Sequence, residues 1–269
     1  MIYKAKKSLG QNFLKSQKAL ADIVNAGDIS PDDTILEIGP GKGALTEKLL
    51  EKAERVIAIE KDRELIELLK GKFSVDIKSG KLKLIWGDIL EISNSDLEIA
   101  TSYKLVANIP YYITGAIIRK FLEAKQQPER MVLLVQKEVA QRIVARDGKE
   151  SILSISVKAY GEPVFIDTVK KRYFSPEPKV DSAILLIKNI QRTVLDKKGV
   201  DEARFFEIVK AGFAHKRKVL SSNLKPLSGP TTKWLEICKI PEKARAEDLL
   251  LENWVCLAKS FPLSGPTTK

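Results

Sequence analysis

Three glycines, two carboxylates, and an asparagine followed by proline and two tyrosines are the residues whose types and spacing suit chemistry on a nucleoside. In "ILEIGPGKGALT" (35–46), Gly39, Gly41 and Gly43 follow directly on an apolar run, and a helical pattern opens near Ala44. Glycines at that junction let main chain approach a ligand closely. The spacing is G-x-G-x-G, which is neither the G-x-x-x-x-G-K-[ST] of a phosphate loop nor the G-x-G-x-x-G of a dinucleotide fingerprint. A bare tight turn is the plain alternative. Glu60 closes the next apolar run, where a carboxylate can accept hydrogen bonds from both hydroxyls of a ribose. Asp88 closes the third in "WGDIL" and can accept from the exocyclic amine of an adenine. Taken singly, each reads equally well as a solvated strand-end carboxylate. Together with the glycine loop they describe a site for an adenosine without pyrophosphate. That points to S-adenosylmethionine, with S-adenosylhomocysteine as product, because a sulfonium tolerates nearby carboxylates.

The stretch "KLVANIPYYITGAI" (104–117) starts as a strand, loses its apolar pattern at Asn108 and resumes as a helix after Tyr112. Packing asks for none of these residues there, but transfer to an adenine N6 does. The lone pair of that amine is delocalised into the ring and is a weak nucleophile. The Asn108 side-chain oxygen and the Ile109 carbonyl could accept both amino protons and favour the pyramidal geometry that frees the lone pair. Pro110 restricts Ile109 to an extended conformation that aims its carbonyl outward. Tyr111 could then stack on the base, with Tyr112 as the core tyrosine of the two. A base presented in this way must leave its strand, so a second aromatic is expected on its other face. Phe174, in the proline-braced "RYFSPEPKVDSAI" (172–184), is the candidate. The scheme needs positioning and electrostatics rather than a tuned histidine. The plain alternative is a strand-ending turn with packing aromatics.

The elements that must position these residues are legible as an alternation. β-branched runs at 34–39, 55–60, 82–88, 103–108 and 130–136 are separated by helical patterns such as "GALTEKLLEKA" and "DRELIELLKGKF", the latter opened by Asp62 as N-cap. This predicts a doubly wound α/β sheet. Runs at 162–170 and 182–189 follow the helix-like "SILSISVKAYG" and are expected as an antiparallel pair at the sheet edge. From 203–224 the pattern is helical, which places a boundary near 191 between a domain at 1–190 and a small, basic, helical RNA-binding domain at 191–269. "PLSGPTTK" occurs at 226–233 and again at 262–269. It is too short and too widely spaced for a solenoid repeat, and we have no physical account of it.

Composition bounds the partners. With 46 Lys and Arg against 35 Asp and Glu, the 269-residue chain carries a formal charge of +11, which favours a polyanion such as nucleic acid. "AHKRKVL" (214–220), with Lys216, Arg217 and Lys218, and "KAKK" (4–7) are candidate phosphate grips as well as ordinary solvated faces. Two cysteines, Cys238 and Cys256, are too few for a disulfide framework or a zinc site, and His215 stands alone, so metal catalysis and a Ser-His-Asp triad are poor candidates. No apolar run approaches the length of a spanning helix, and the N-terminus lacks a signal-peptide apolar region. The expectation is a cytoplasmic monomer with no membrane partner and no metal.

As an ordered set, "KKSLGQNFL", "LEIGPGKGALT", "VIAIEKD", "WGDIL", "VANIPYYIT", "LVQKEVAQRI", "RYFSPEPKVDSAI" and "FFEIVKAGFAHKRKVLSSNLK" resemble the ribosomal RNA adenine dimethyltransferases, most closely the bacterial small-subunit branch. The likeness covers roughly residues 4–225, and the duplicated octapeptide departs from it. The resemblance implies a Rossmann-like class I methyltransferase sheet and an S-adenosylmethionine-dependent enzyme. Its expected product is N6,N6-dimethyladenosine at two adjacent positions near the 3′ end of small-subunit rRNA, within an assembling subunit whose maturation it also assists. By position it implies that Asn12 and Leu14 line the cofactor site with Gln11 beside them, and that Gly39, in one loop with Gly41, contacts the methionine part. It further implies that Glu60 holds the ribose and Asp88 the adenine, that Asn108 sits between cofactor and target amine, and that Tyr111 and Phe174 sandwich the base. Large-subunit adenine methylation, as in macrolide resistance, shares "QNF" and "NIPY" but matches the later segments less well. A chiefly structural assembly factor that has lost turnover is disfavoured by intact Glu60, Asp88, Asn108 and Tyr111.

Overall fold

The computed structural model describes residues 3–93, 97–99, 102–191, 195, 199–228 and 231–260. The second octapeptide copy, and Gly229 and Pro230 of the first, lie outside the described residues. The chain divides into two compact units, one of residues 1–140 and 162–190, the other of 141–161 and 191–269. The sequence pattern placed a boundary near 191; by contacts, 141–161 cluster with the C-terminal part, an association that no local periodicity encodes.

In the first unit, short strand β1 (Phe13–Leu14) precedes helix α1 (Gln17–Gly27), and the sheet begins with β2 (Thr34–Ile38). It continues through α2 (Ala44–Leu50), β3 (Arg55–Glu60), α3 (Arg63–Lys72), α4 (Ser74–Lys78), β4 (Leu82–Trp86), β5 (Lys104–Asn108), α5 (Thr114–Leu122) and β6 (Arg130–Gln136). Helix α6 (Lys137–Val144) spans the division between units, and β7 (Glu162–Val169), β8 (Phe174–Ser175) and β9 (Ser182–Lys188) complete the first. Seven strands lie in the order β4, β3, β2, β5, β6, β9, β7. The first five are parallel, while β9 is antiparallel to both β6 and β7. Both the alternation and the antiparallel edge pair agree with the sequence pattern. The interior strands read as unbroken apolar runs because helices cover both faces. Met131 through Val135 of β6, for example, are all fully buried.

Helix α1 starts at Ser16, whose hydroxyl accepts from the Ala19 N–H, and buries Leu20, Ile23 and Val24 against β5 and β6. Each such side chain contributes about 1.5–3 kcal/mol of apolar burial. The chain winds from β2 outward to β4, then crosses back to β5 on the other flank of β2. Neighbouring parallel strands whose connections run in opposite directions leave a crevice at their carboxyl ends, which is where ligands bind in such sheets. One pairing escaped the sequence reading: β1 and β8 form a two-stranded antiparallel ribbon, with Phe13 opposite Ser175 and Leu14 opposite Phe174.

The second unit is helical among the described residues. Helix α7 (Ile152–Lys158) opens on a reciprocal cap between Ser151 and Ser154, and α8 (Glu202–Gly212) on Asp201. Helices α9 (Leu220–Ser228), α10 (Thr232–Ile237) and α11 (Leu251–Ser260) follow. The helical pattern over 203–224 is therefore interrupted. Trp254 is fully buried and stacks on Phe213 at 5.4 Å, and Asn223 donates to the carbonyls of Gly212 and His215, which turns the chain between α8 and α9. The basic run 214–218 occupies this turn and is exposed. Cys238 and Cys256, too few for a framework, form a single bridge with a Cα–Cα distance of 5.7 Å, tying the end of α10 to α11. No helix among the described residues is long and apolar enough to cross a membrane.

Candidate active site

A cavity of about 430 Å³ opens at the carboxyl ends of β2, β3, β4 and β5. It is within the range of small-molecule sites, about 300–1,000 Å³. Gly39, Gly41, Glu60, Asp88, Asn108 and Tyr111 line it, as do Gln11, Asn12 and Leu14 from the N-terminal segment. Residues 96 positions apart in the chain, Asn12 and Asn108, are thus brought into hydrogen-bond contact.

The glycine loop is shaped by two close approaches. At Gly41, φ is +60°, and a Cβ would stand 2.9 Å from the Phe13 ring. At Gly43, φ is +77°, and a Cβ would stand 2.5 Å from Phe73. Any side chain would push the loop away from the N-terminal segment or from α3. Glu60 is buried, and its two oxygens accept from the Gly41 and Asp62 backbone N–H groups at 3.1 and 2.9 Å. Burial raises its pKa, with those N–H groups opposing. Each oxygen retains a lone pair, the acceptor pattern a diol requires. Asp88 takes the Leu90 N–H on Oδ1 at 2.9 Å and the Lys61 ammonium on Oδ2 at 2.6 Å. Burial works against its ionisation, but Lys61 prevails and its pKa is lowered.

Asn108 ends β5, and its Nδ2 donates to the Asn12 carbonyl at 3.3 Å. With the amide nitrogen so engaged, Oδ1 is the acceptor left to a substrate. Pro110 then starts a 3₁₀ turn over Tyr111–Ile113, which sends adjacent side chains about 120° apart. This corrects the assignment of the two tyrosines. Tyr111 is half-buried with its hydroxyl 2.7 Å from Ser182 Oγ, whereas Tyr112 is the exposed ring at 67 %. Phe174 also departs from its expected position. It is 3 % exposed, belongs to the hydrophobic core and does not line the cavity; Ser175 does. As the strand partner of Leu14 it faces inward, because ribbon pairing fixes alternate side chains to one face.

Gln11 lines the cavity, but its side chain is committed elsewhere. Its Oε1 accepts from Tyr3 Oη and the Lys6 N–H, and its Nε2 donates to Asp62. Asp62 was read only as a helix cap, a role it fills by accepting from the Glu64 N–H. Its further partners lie more than 50 residues upstream, beyond any local pattern. Glu37 was also missed. It sits on β2 behind the glycine loop, 1 % exposed, and neither carboxylate oxygen has a hydrogen-bond partner among the described residues. Burial pushes its pKa up to about 8, with Glu60 adding to the rise and Thr46 and Lys72 opposing it. An orphaned carboxyl facing the cavity, beside an open diol acceptor and an open amide acceptor, fits a polar nucleoside ligand with a cationic tail. Lys216, Arg217 and Lys218 lie in the other unit, in the exposed α8–α9 turn. Among the described residues no group of three or more His, Cys, Asp and Glu is placed to hold a metal ion.

Comparison with known proteins gives a concordant result. The profile of the family described as ribosomal RNA adenine dimethylase matches residues 2–262. The chain is 46 % identical to a ribosomal RNA small subunit methyltransferase A of Dehalococcoides mccartyi, over 94 % of this chain and 88 % of the relative. It is 40 % identical to the protein of that name in Fusobacterium nucleatum, over 97 % and 99 %. Among solved structures it is similar to the 23S rRNA methyltransferase ErmE (TM-score 0.76, 26 % identity, 92 % of this chain and 98 % of that one). A dimethyladenosine transferase from Plasmodium falciparum is similar to the same degree (TM-score 0.74, 26 % identity, 91 % and 95 %). The chain belongs to the ribosomal RNA adenine dimethylase family.

Proposed function

We propose that this protein transfers methyl groups from S-adenosylmethionine to the N6 atoms of two adjacent adenosines near the 3′ end of small-subunit rRNA, forming N6,N6-dimethyladenosine during assembly of the subunit. The observation that carries the reading is the convergence of Glu60, Asp88 and Asn108 on one cavity at the carboxyl ends of neighbouring strands. Glu60 holds the ribose hydroxyls, Asp88 the adenine amine, and the Gly39–Gly43 loop with Asn12 and Leu14 encloses the remainder. When bound, the sulfonium supplies an electrophilic methyl group with a neutral thioether as leaving group.

The protein's own contribution is to the nucleophile. Asn108 Oδ1 and the Ile109 carbonyl accept the two amino protons and localise the nitrogen lone pair. Each of the two transfers would release one amine proton to water, the first from an amine with two N–H groups for these acceptors and the second from an amine with one. Neither acceptor is a base, and the chemistry calls for none with a tuned pKa. Tyr111, steadied by Ser182, stacks on the base. Lys216, Arg217 and Lys218 hold RNA phosphates in a salt-dependent contact. The protein acts in the cytoplasm as a monomer.

The test is transfer of radiolabel from S-adenosylmethionine to undermethylated small-subunit particles, large-subunit rRNA and DNA, with the modified nucleoside identified by mass. Dimethyladenosine in small-subunit RNA alone is expected. Label in large-subunit RNA instead would assign the other rRNA, and particle binding without transfer would favour a purely structural assembly role.

A further inference from the structure

The N-terminal segment 3–14 borders the cavity and carries six of its lining residues, the run from Leu9 to Leu14. Segments this close to a chain end stay ordered only when tied down. Here the ties converge on one buried side chain. Asp62 is 2 % exposed; its Oδ2 accepts from Tyr3 Oη at 2.6 Å and Gln11 Nε2 at 3.0 Å, and its Oδ1 accepts from Lys6 Nζ at 2.8 Å and from the Glu64 N–H at 3.0 Å. The same Tyr3 hydroxyl lies 2.6 Å from Gln11 Oε1 and shares its single proton between the two acceptors, which closes a triangle of side chains. The Tyr3 and Phe13 rings meet edge to face at 5.9 Å, and Lys42 Nζ of the glycine loop lies 5.0 Å from the centre of the Phe13 ring.

The same residue reaches the ligand side of the site. The Asp62 backbone N–H donates to Glu60 Oε1, so the geometry that fixes the latch also orients the carboxylate assigned to the ribose. Through the segment it holds, Asp62 acts on two more parts of the site: Phe13 packs on Gly41, and the Asn12 carbonyl receives the Asn108 amide. Glu60 at the end of β3, Gly41 in the loop after β2 and Asn108 at the end of β5 are thus referred to a single anchor.

We propose that Asp62 is the positioning residue of the cofactor site: it latches segment 3–14 across the cavity, so that closure of this segment and binding of S-adenosylmethionine are thermodynamically coupled. The inference rests on the cofactor reading above and adds a residue that touches no ligand. Gln11 then serves the latch and is not a cofactor ligand. By linkage, cofactor binding must tighten the segment by the same factor as the latch tightens cofactor binding.

Asp62→Asn isolates the latch. Asparagine caps a helix as well as aspartate and keeps the backbone N–H to Glu60. It also places an NH2 group where Tyr3 and Gln11 donate, and it removes one of the two carboxylate charges that Lys6 faces, leaving that of Glu64. The full chain and this variant are compared by calorimetric titration with S-adenosylmethionine and by hydrogen exchange of residues 3–14 with and without cofactor. The expected result is a dissociation constant raised about tenfold, within the 5–150-fold range of such couplings, with protection of 3–14 lost and β5 and β6 as protected as in the wild type. Tyr3→Phe removes one hydroxyl at the surface end of the segment and leaves the sheet untouched; a smaller, severalfold rise is expected.

Full protection of 3–14 in Asp62→Asn without cofactor would overturn the latch, whatever the affinity. Loss of protection with an unchanged dissociation constant would overturn the coupling. A wild-type protein that takes up no S-adenosylmethionine would remove the cofactor reading itself, an outcome distinct from both.

Discussion

Two buried carboxyls flank the cavity under opposite regimes. Glu37, on β2 behind the glycine loop, and Asp62, at the head of α3, are 1 % and 2 % exposed. Glu37 has no hydrogen-bond partner among the described residues, and burial pushes it up to about 8, so it holds its proton at neutral pH. Burial presses Asp62 in the same direction, yet donors from Lys6, Tyr3 and Gln11 bring it down to about 2. Burial sets the cost of a charge, and partners decide whether it is carried. One side of the site has a neutral floor, and the other a fixed anion on which Tyr3, Lys6 and Gln11 converge.

The largest effect that would break this contrast lies at Glu37. Unfolded, its carboxyl ionises near 4.5; folded, it keeps its proton to about 8, so the unfolded state binds fewer protons between these values. Stability from this group therefore falls as pH rises from 4.5 to 8. Relative to wild type, Glu37→Gln should gain about 3–5 kcal/mol across that window, read as the pH dependence of denaturant midpoints without cofactor. A flat difference would show that Glu37 has a partner.

Asp62 has the opposite sign. Its folded pKa lies below the ordinary 3.8, so its stabilisation is complete above that value and is lost as pH falls toward 2. Asp62→Ala should cost about 2–3 kcal/mol at pH 7, cap included, with the difference shrinking below pH 3. The smallest effect is expected at Lys61, which pairs with Asp88 but is 55 % exposed. Lys61→Met should leave the denaturant midpoint close to that of the wild type, because solvent screens the pair. A larger loss would mean that the Asp88 side of the site is built like the Asp62 side.

What the sequence made legible follows from locality. The β2, β3, β5 and β6 runs announce themselves because strands inside the sheet are largely apolar, β4 at the edge by its shorter alternation, and Glu60, Asp88 and Asn108 inherit their places from these runs. The helix cap at Asp62 was legible because its acceptor role is satisfied two residues away. The latch at the same residue was not, since Tyr3, Lys6 and Gln11 come from a segment with no apolar period. The β1–β8 ribbon, two residues on each side, is too short for any alternation and decides that Phe174 points inward. Tyr112 is exposed rather than in the core because a 3₁₀ turn, rather than a continued strand or helix, follows Pro110. The break at 213–219 is set by Trp254 and Asn223, tertiary contacts invisible in the pattern of 203–224.

The account turns on Asn108 as the acceptor that readies the target amine. The measurement that addresses this most directly is parallel turnover and particle binding of Asn108→Ala, using undermethylated small-subunit particles and saturating S-adenosylmethionine. Turnover should fall by about 10²–10³-fold, as for removal of one preorganised polar contact at a reacting centre, while particle binding changes little. Turnover within a fewfold of wild type would contradict the mechanism.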